Sequence, residues 1–404
     1  MSDTHSHKGR LPILMVNMFI AMLGIGLIIP VLPEFLKEFG ASGKEAGTLV
    51  AAFGLTQFIF SPLAGKWSDR FGRKRLIVAG LFLFCLANLI FATAQELWML
   101  YASRFINGIG SAMMIPSMMA YVADITTLEK RGKGLGMLGA SMSLGFVIGP
   151  GIGGFLAELG VRAPFYVSTG IGVVALIVSI TLLPETLTAE MREQLMKAGI
   201  KGDHVFKQLA RSFKASYWIY LFLVFTLTFG LANFEAIYSL YVDKKFGFTA
   251  MDISILITIG ALMGVIIQSL LIDKLLTRFG EKKLIHFGFI ASAITILMML
   301  VSGNFWWVML VTMMFFTFTA ILRPAINTLL SKQAGDEQGF VAGMNNAYMS
   351  LGNIFGPTVA GLLFDYHIDS PYVLGAIVLV GSFFLSVIWG KRNKGNTGDS
   401  AIRA

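Results

Sequence analysis

Charge is what this sequence has least of. Only 14% of its 404 residues are Asp, Glu, Lys or Arg, against 55% hydrophobic ones, where a soluble domain carries about 25% charged residues. The mean hydropathy of +0.73 agrees. A soluble enzyme and a nucleic-acid binder are both excluded. Cysteine is almost missing too. Cys85 stands alone inside an apolar run, so no intrachain disulfide can form and no redox site is indicated. No Gly-x-x-x-x-Gly-Lys-Ser/Thr phosphate loop occurs, which argues against ATP as a driving force. The apolar runs hold no His cluster, paired carboxylates or nucleophile–base set, so no cofactor or metal is expected and an enzyme is disfavoured. His5 and His7 read as part of a polar tail rather than a metal site. Period-2 alternation is absent as well, which excludes a lipid-facing β-barrel.

What the sequence does have is a series of charge-free runs of 20 residues or more. At ~1.5 Å per residue each can cross a bilayer as a helix. Leu97–Ala123 is interrupted only by Arg104, and Ala215–Val242 only by Glu235. The long stretch from Leu284 divides at Ser302-Gly303-Asn304, and its second part is interrupted only by Arg323. The reading is an all-α integral membrane protein with twelve transmembrane helices. Residues 1–10 form a tail, 11–184 a first six-helix bundle, 185–214 a hydrophilic linker, 215–390 a second bundle and 391–404 a closing tail. The amino end, one set of loops and the closing tail together carry 25 Lys and Arg, and the opposite loops carry five. That bias places both termini and the linker in the cytoplasm. The +9 net charge is thus mainly a topology signal. No small-residue cleavage site follows the first run, which reads as an uncleaved anchor.

The two bundles are copies of each other. Sliding the chain by 207 residues lays Met137–Glu158 over Met344–Asp365 with ten of 22 positions identical. A slide of 208 puts Arg70-Phe71-Gly72 on Arg278-Phe279-Gly280 and Pro116 on Pro324. Two repeated bundles form a transporter architecture, with a site expected between them near the membrane midplane.

Individual residues then suggest roles. Asp69 sits among Lys66, Arg70, Arg73, Lys74 and Arg75, with Gly72 in the same loop. A carboxylate so placed can pair across helix ends as a breakable gate, with Asp124 as a further partner or a solvated helix-end acid. The plainer reading is positive-inside anchoring. Thr277 takes the place of Asp69 in the second half, leaving that copy degenerate. Glu235 is the only carboxylate deep in a run. Ionised in lipid it would cost on the order of 3 kcal/mol or more, so it faces the bundle interior or carries a proton. It is either a proton-coupling site or a permanently neutral acid held by a neighbouring helix. Arg104 lies roughly 10 Å deep and can reach a similar level, as an ion-pair partner or as a packing residue. Arg323 is either a second cavity charge or a snorkelling side chain. Gly145, Gly149, Pro150, Gly153 and Gly154 read as a close-packing element, repeated at Gly352, Gly356, Pro357 and Gly361. Most of the 34 Phe and 22 Met read as lipid-facing.

These motifs, in this order and on these spans, resemble the major facilitator superfamily over essentially the whole chain. Gly65-Lys66-Trp67-Ser68-Asp69-Arg70-Phe71-Gly72-Arg73-Lys74-Arg75 is similar to the G-x-L-A-D-R-x-G-R-K-x loop. Arg104 to Gly110 is similar to R-x-x-x-G-x-G, and Gly145 to Gly154 to the G-x-x-x-G-P-x-x-G-G signature of proton-driven antiporters. Phe229-Gly230-Leu231 and Glu235 resemble twelve-span quinolone and multidrug efflux pumps of Gram-positive bacteria. The resemblance implies a drug/proton antiporter of the bacterial cytoplasmic membrane, exporting amphipathic, often cationic drugs by alternating access. Its partners would be small lipophilic substrates, protons and the bilayer, without nucleic acid and as a monomer. It also implies Phe53, Gln57, Phe146, Tyr238 and Asn346 as cavity positions. One departure stands out: Ala320-Ile321-Leu322-Arg323-Pro324 lacks the second acid that related pumps often carry there. A dedicated proton-coupled exporter of a metabolite such as a polyamine or sugar is the alternative. A transporter-like receptor without turnover is a further one.

Overall fold

The computed structural model describes residues 10–188, 190–193, 205–213, 215 and 217–400. His5, His7, Lys197, Lys201 and Lys214 lie outside the described residues. Among those described there is no strand, and fifteen α-helices follow one another along the chain. They are α1 (Arg10–Gly26), α2 (Ile28–Glu38), α3 (Gly43–Phe71), α4 (Arg73–Ala92), α5 (Leu97–Ile125), α6 (Leu128–Ala157) and α7 (Ala163–Leu182), then α8 (Val205–Ser212), α9 (Trp218–Phe246), α10 (Ala250–Ile266), α11 (Ile272–Phe279), α12 (Glu281–Met298), α13 (Phe305–Ala334), α14 (Gln338–Tyr366) and α15 (Ser370–Ser400).

Three junctions merge or split these helices into spans. Pro30 cannot donate to Gly26, and the helix breaks there, so α1 and α2 are two parts of one crossing. A single π-turn, Ile267–Leu271, joins α10 to α11 in another. Among the described residues, eleven stretches are long and apolar enough to cross a membrane. The twelfth crossing is α12, whose 18 residues open on Glu281, Lys282 and Lys283 and are less apolar for that reason. Starts and stops have local causes. Ser42 and Glu45 form a reciprocal cap on α3. The Asn304 side chain accepts from the backbone of Trp306 and Trp307 to open α13. Gly247, at φ 73°, closes α9.

The helices fall into two compact units. Most of α1–α7 forms the first, which also takes Phe248–Thr258, and the second holds the remainder of α10 with α9 and α11–α15. Inside the first, α1 packs on α6, and α4 packs on both α5 and α7. Inside the second, α9 packs on α14, and α12 on both α13 and α15. The pairings repeat span for span, as the sequence offsets require.

The seams α1–α6 and α9–α14 run on glycine. A Cβ on Gly145 would stand 2.3 Å from the Phe19 carbonyl oxygen, and one on Gly149 would stand 2.8 Å from the Gly26 Cα. In the second unit a Cβ on Gly356 would stand 2.7 Å from the Phe229 carbonyl oxygen. Backbones this close gain dispersion contacts that lipid cannot match, and those contacts hold helices together in a bilayer. Gly153 and Gly154 are also buried, one turn further along α6. Not all the methionines face lipid. Met18, Met22, Met114 and Met118 pack within the core of the first unit beside Phe84 and Tyr121.

Candidate functional site

The residues expected to form a gate in the first unit converge on Arg73. Gly72 is the whole connection between α3 and α4, at φ 107° and ψ 151°. That conformation is essentially confined to glycine. It turns the chain so that Arg73 opens α4 while still reaching back to α3. Arg73 is only 7% exposed. Its Nη1 lies 2.6 Å from Asp69 Oδ1 and donates to Ser68 Oγ at 3.0 Å. Its Nε donates to Asp124 Oδ2 at 3.3 Å. Asp69, Arg73 and Asp124 are thus brought together across three helix ends. Arg70 is not part of this cluster; it is exposed, with its guanidinium over the Phe71 ring at 5.3 Å.

Two members of the cluster had no signal in the sequence reading. Glu185 Oε1 accepts the backbone N–H of Arg73 at 2.9 Å, and Thr186 Oγ1 donates to Asp124 Oδ2 at 2.8 Å. Glu185 therefore caps α4, where the helix dipole favours a carboxylate. The beginning of the linker is built into this cluster. A side chain at Gly72 would also displace this carboxylate, because a Cβ would fall 2.1 Å from Glu185 Oε2. Gly72→Ala is expected to cost about 1–3 kcal/mol from backbone strain alone. A lowered melting temperature of the detergent-solubilised protein, with loss of efflux, checks it.

The second unit holds a charge-reversed version. At the 208-residue offset, Glu281 takes the place of Arg73 and Lys332 that of Asp124. Lys332 Nζ meets Glu281 Oε1 at 2.5 Å. Gly280, at φ 74°, is the single residue between α11 and α12, as Gly72 is between α3 and α4. The Thr277 hydroxyl donates to the Asp273 carbonyl. The copy lacks the third charge but keeps the pair.

The intramembrane charges separate by unit. Arg104 is buried in the first, over the Phe91 ring at 4.8 Å, and its Nη2 has no hydrogen-bond partner. Glu235 is half-buried on α9, and the charged side chain that acts on it is Arg323 of α13. Arg323 is exposed at the surface of its unit. Among the proposed cavity residues, Phe53 and Gln57 of α3 and Phe146 of α6 are half-buried, and Asn346 of α14 is exposed. Tyr238 differs. It is 1% exposed, with its hydroxyl 2.8 Å from Thr312 Oγ1 and its ring on Phe234, so it belongs to the core of the second unit.

At the other end of α9 lies a second cluster. Tyr241 donates to Asp369 Oδ1 at 2.8 Å, and Lys245 Nζ donates to the same oxygen at 2.5 Å. Partial burial alone would raise the Asp369 carboxyl, but the bonds from Lys245 and Tyr241 outweigh it and hold it below the usual carboxylate range. At the linker's far end, Arg211 pairs with Glu337, which also accepts from the Tyr217 hydroxyl at 2.7 Å. Burial, together with that bond, pushes the Tyr217 hydroxyl up to about 12.

Comparison with known proteins follows this geometry. The Major Facilitator Superfamily profile matches residues 14–275 and 220–403. Multidrug resistance protein 2 of Bacillus subtilis is 45% identical over 380 residues, covering 94% of this chain and 95% of its own. Quinolone resistance protein NorA of Staphylococcus aureus is 37% identical over 373 residues, covering 91% and 94%. The crystal structure of nucleoside transporter NupG superimposes with a TM-score of 0.77 at 13% identity, over 94% of this chain and 99% of that one. At that identity the likeness is one of fold alone.

Proposed function

Since this chain belongs to the Major Facilitator Superfamily, we propose that it exports amphipathic, often cationic drugs from the cytoplasm in exchange for protons. It is a multi-pass membrane transporter of small molecules, and its near relatives are named for multidrug and quinolone resistance. Those names favour a range of drugs over one metabolite. In this reading the protein is a monomer in the bacterial cytoplasmic membrane, with both termini and the linker on the cytoplasmic side.

The observation that carries proton coupling is Glu235 as the one carboxylate deep in an apolar run, with Arg323 of the same unit acting on it. A carboxylate inside a span must be neutralised by a proton or a cation. Proton and cationic drug therefore compete for one site. Competition of this kind couples the two fluxes without any covalent step. Arg104, buried and incompletely bonded, is a further coupling residue in the first unit. The Asp69–Arg73–Asp124 cluster serves as a cytoplasmic gate, with Arg70 and Gly72 at its edge. Phe53, Gln57, Phe146, Asn346 and Arg323 are the substrate contacts of this reading. Tyr238 supports them from inside the core.

The test is efflux in energised membrane vesicles. A lipophilic cation should be moved against its gradient while the pH difference lasts, and a protonophore should stop it. Uphill movement that survives the protonophore would overturn the proposal.

A further inference from the structure

Arg104 is a cation held without an anion. It is 7% exposed, no carboxylate pairs with it among the described residues, and its Nη2 has no hydrogen-bond partner. Buried charges are ordinarily paired, because leaving water is costly. What Arg104 has instead is the face of Phe91, with the guanidinium carbon 4.8 Å from the ring centroid. The negative face of an aromatic ring attracts a cation, and the attraction strengthens when both are out of water.

The ring is itself fixed on several sides. Phe91 is 1% exposed near the end of α4, stacked on Phe165 of α7 at 4.4 Å and tilted against Phe35 of α2 at 5.0 Å. Phe35 and Phe165 meet edge to face at 5.2 Å. Arg162 lies over the Phe35 ring at 5.4 Å and pairs with Glu38 at 2.9 Å. It also donates to the carbonyls of Ala92 and Ala94, at 2.9 and 2.7 Å. Those carbonyls follow Phe91 directly in the chain, so the Arg162 staple fixes the end of α4 and the ring it carries.

Packing alone does not demand a ring at this place. At the 208-residue offset the second unit has Thr312 for Arg104 and Met299 for Phe91. Met299 is fully buried, so a flexible thioether fills that position where no cation has to be held. The cation and the ring are absent together.

We infer that Phe91 is the positioning residue of Arg104, holding its guanidinium in the first unit by the π face and leaving its charge uncancelled. This rests on the reading of Arg104 as a coupling residue. A carboxylate partner would also fix the guanidinium, but the pair would be neutral overall. A ring fixes it and adds no opposing charge, so the full positive charge stays available to act on a proton or a cationic drug. Phe91 acts only through Arg104.

The experiment places mono-, di- and trifluorophenylalanine at position 91 of the full-length transporter. Fluorine nearly keeps the shape of the ring while draining its negative face. Gradient-driven export of a lipophilic cation in vesicles should fall stepwise, by about tenfold over the series. The melting temperature of the detergent-solubilised protein should fall in the same order, and should stay level across the series in an Arg104→Gln background. Phe91→Met, the residue of the second unit, should lose export to a similar degree at matched membrane abundance. Export that stays level across the series while Arg104→Gln is inactive would overturn the proposal, leaving Phe91 as packing. Equal falls in melting temperature in both backgrounds would overturn it too. Failure of the underlying reading looks different: Arg104→Gln would itself export at the wild-type rate, which removes the role of Arg104 and that of Phe91 with it.

Discussion

Glu235→Gln is expected to abolish gradient-driven export of uncharged and cationic drugs alike. Glutamine keeps the size and hydrogen bonding of a protonated carboxyl but stays neutral in every state of the cycle. If Glu235 carries the proton, the gradient loses its handle on the protein and no substrate is moved uphill. If it only attracts cations, uncharged drugs should be exported normally. If it is a permanently neutral structural acid, neither class should change. No other carboxylate lies deep in a span, and the run Ala320 to Pro324 supplies none. A substitute proton carrier is therefore missing, and the first outcome should be nearly complete. Arg323 sharpens the expectation. In the glutamine variant the Arg323 charge is left uncompensated in every state, which disfavours cationic drugs further. The measurement is vesicle efflux of one cationic and one uncharged substrate at matched expression. Retained coupled export of the uncharged one would remove Glu235 from the role.

Asp69→Asn should insert normally and lose most transport. The substitution leaves the Lys and Arg bias of the loops unchanged, so topology is preserved. It removes the 2.6 Å ion pair to an arginine that is almost completely buried. Arg73 then keeps Asp124 and Ser68 but faces a neutral amide oxygen in place of a carboxylate, a change on the order of 1 kcal/mol for a half-exposed pair. Within one conformation that is tolerable. Between two conformations about 1.4 kcal/mol is a factor of ten in population, so a gate can fail while the fold survives. The second unit offers no replacement, since Thr277 stands where the acid would be. Wild-type efflux at equal membrane abundance would refute the gate.

The span pattern was legible because hydrophobic length and charge placement are properties of the chain alone. So was the correspondence between the two sets of spans, which the 207- and 208-residue offsets carry. Asp124 could be proposed because an acid at the inner end of a span has few roles. Glu185 could not, since its partner is a backbone N–H of α4 that only folding brings to it. The charge-reversed pair was present in the same offset that matched Arg70 to Arg278, but comparing identities hides a swap of sign. Depth along a helix put Arg104 level with Glu235 and said nothing about direction around either helix, nor did it single out Arg323, which acts on Glu235 within the same unit. Tyr238 is a related case. One turn from Glu235 fixes its height, while Phe234 and Thr312 decide that it points inward.

The glycine seams also decide where this chain is free to evolve. Along α6 and α14 the positions facing α1 and α9 cannot accept even a methyl group without moving a backbone. A variant at Gly149 or Gly356 would disappear through poor assembly before any change in drug range could be selected. Phe53, Gln57 and Asn346 are under no such constraint, being half-buried or exposed in their units. Under antibiotic pressure, adaptive substitutions should gather at sites of that kind, and the seams should stay silent in every surviving lineage.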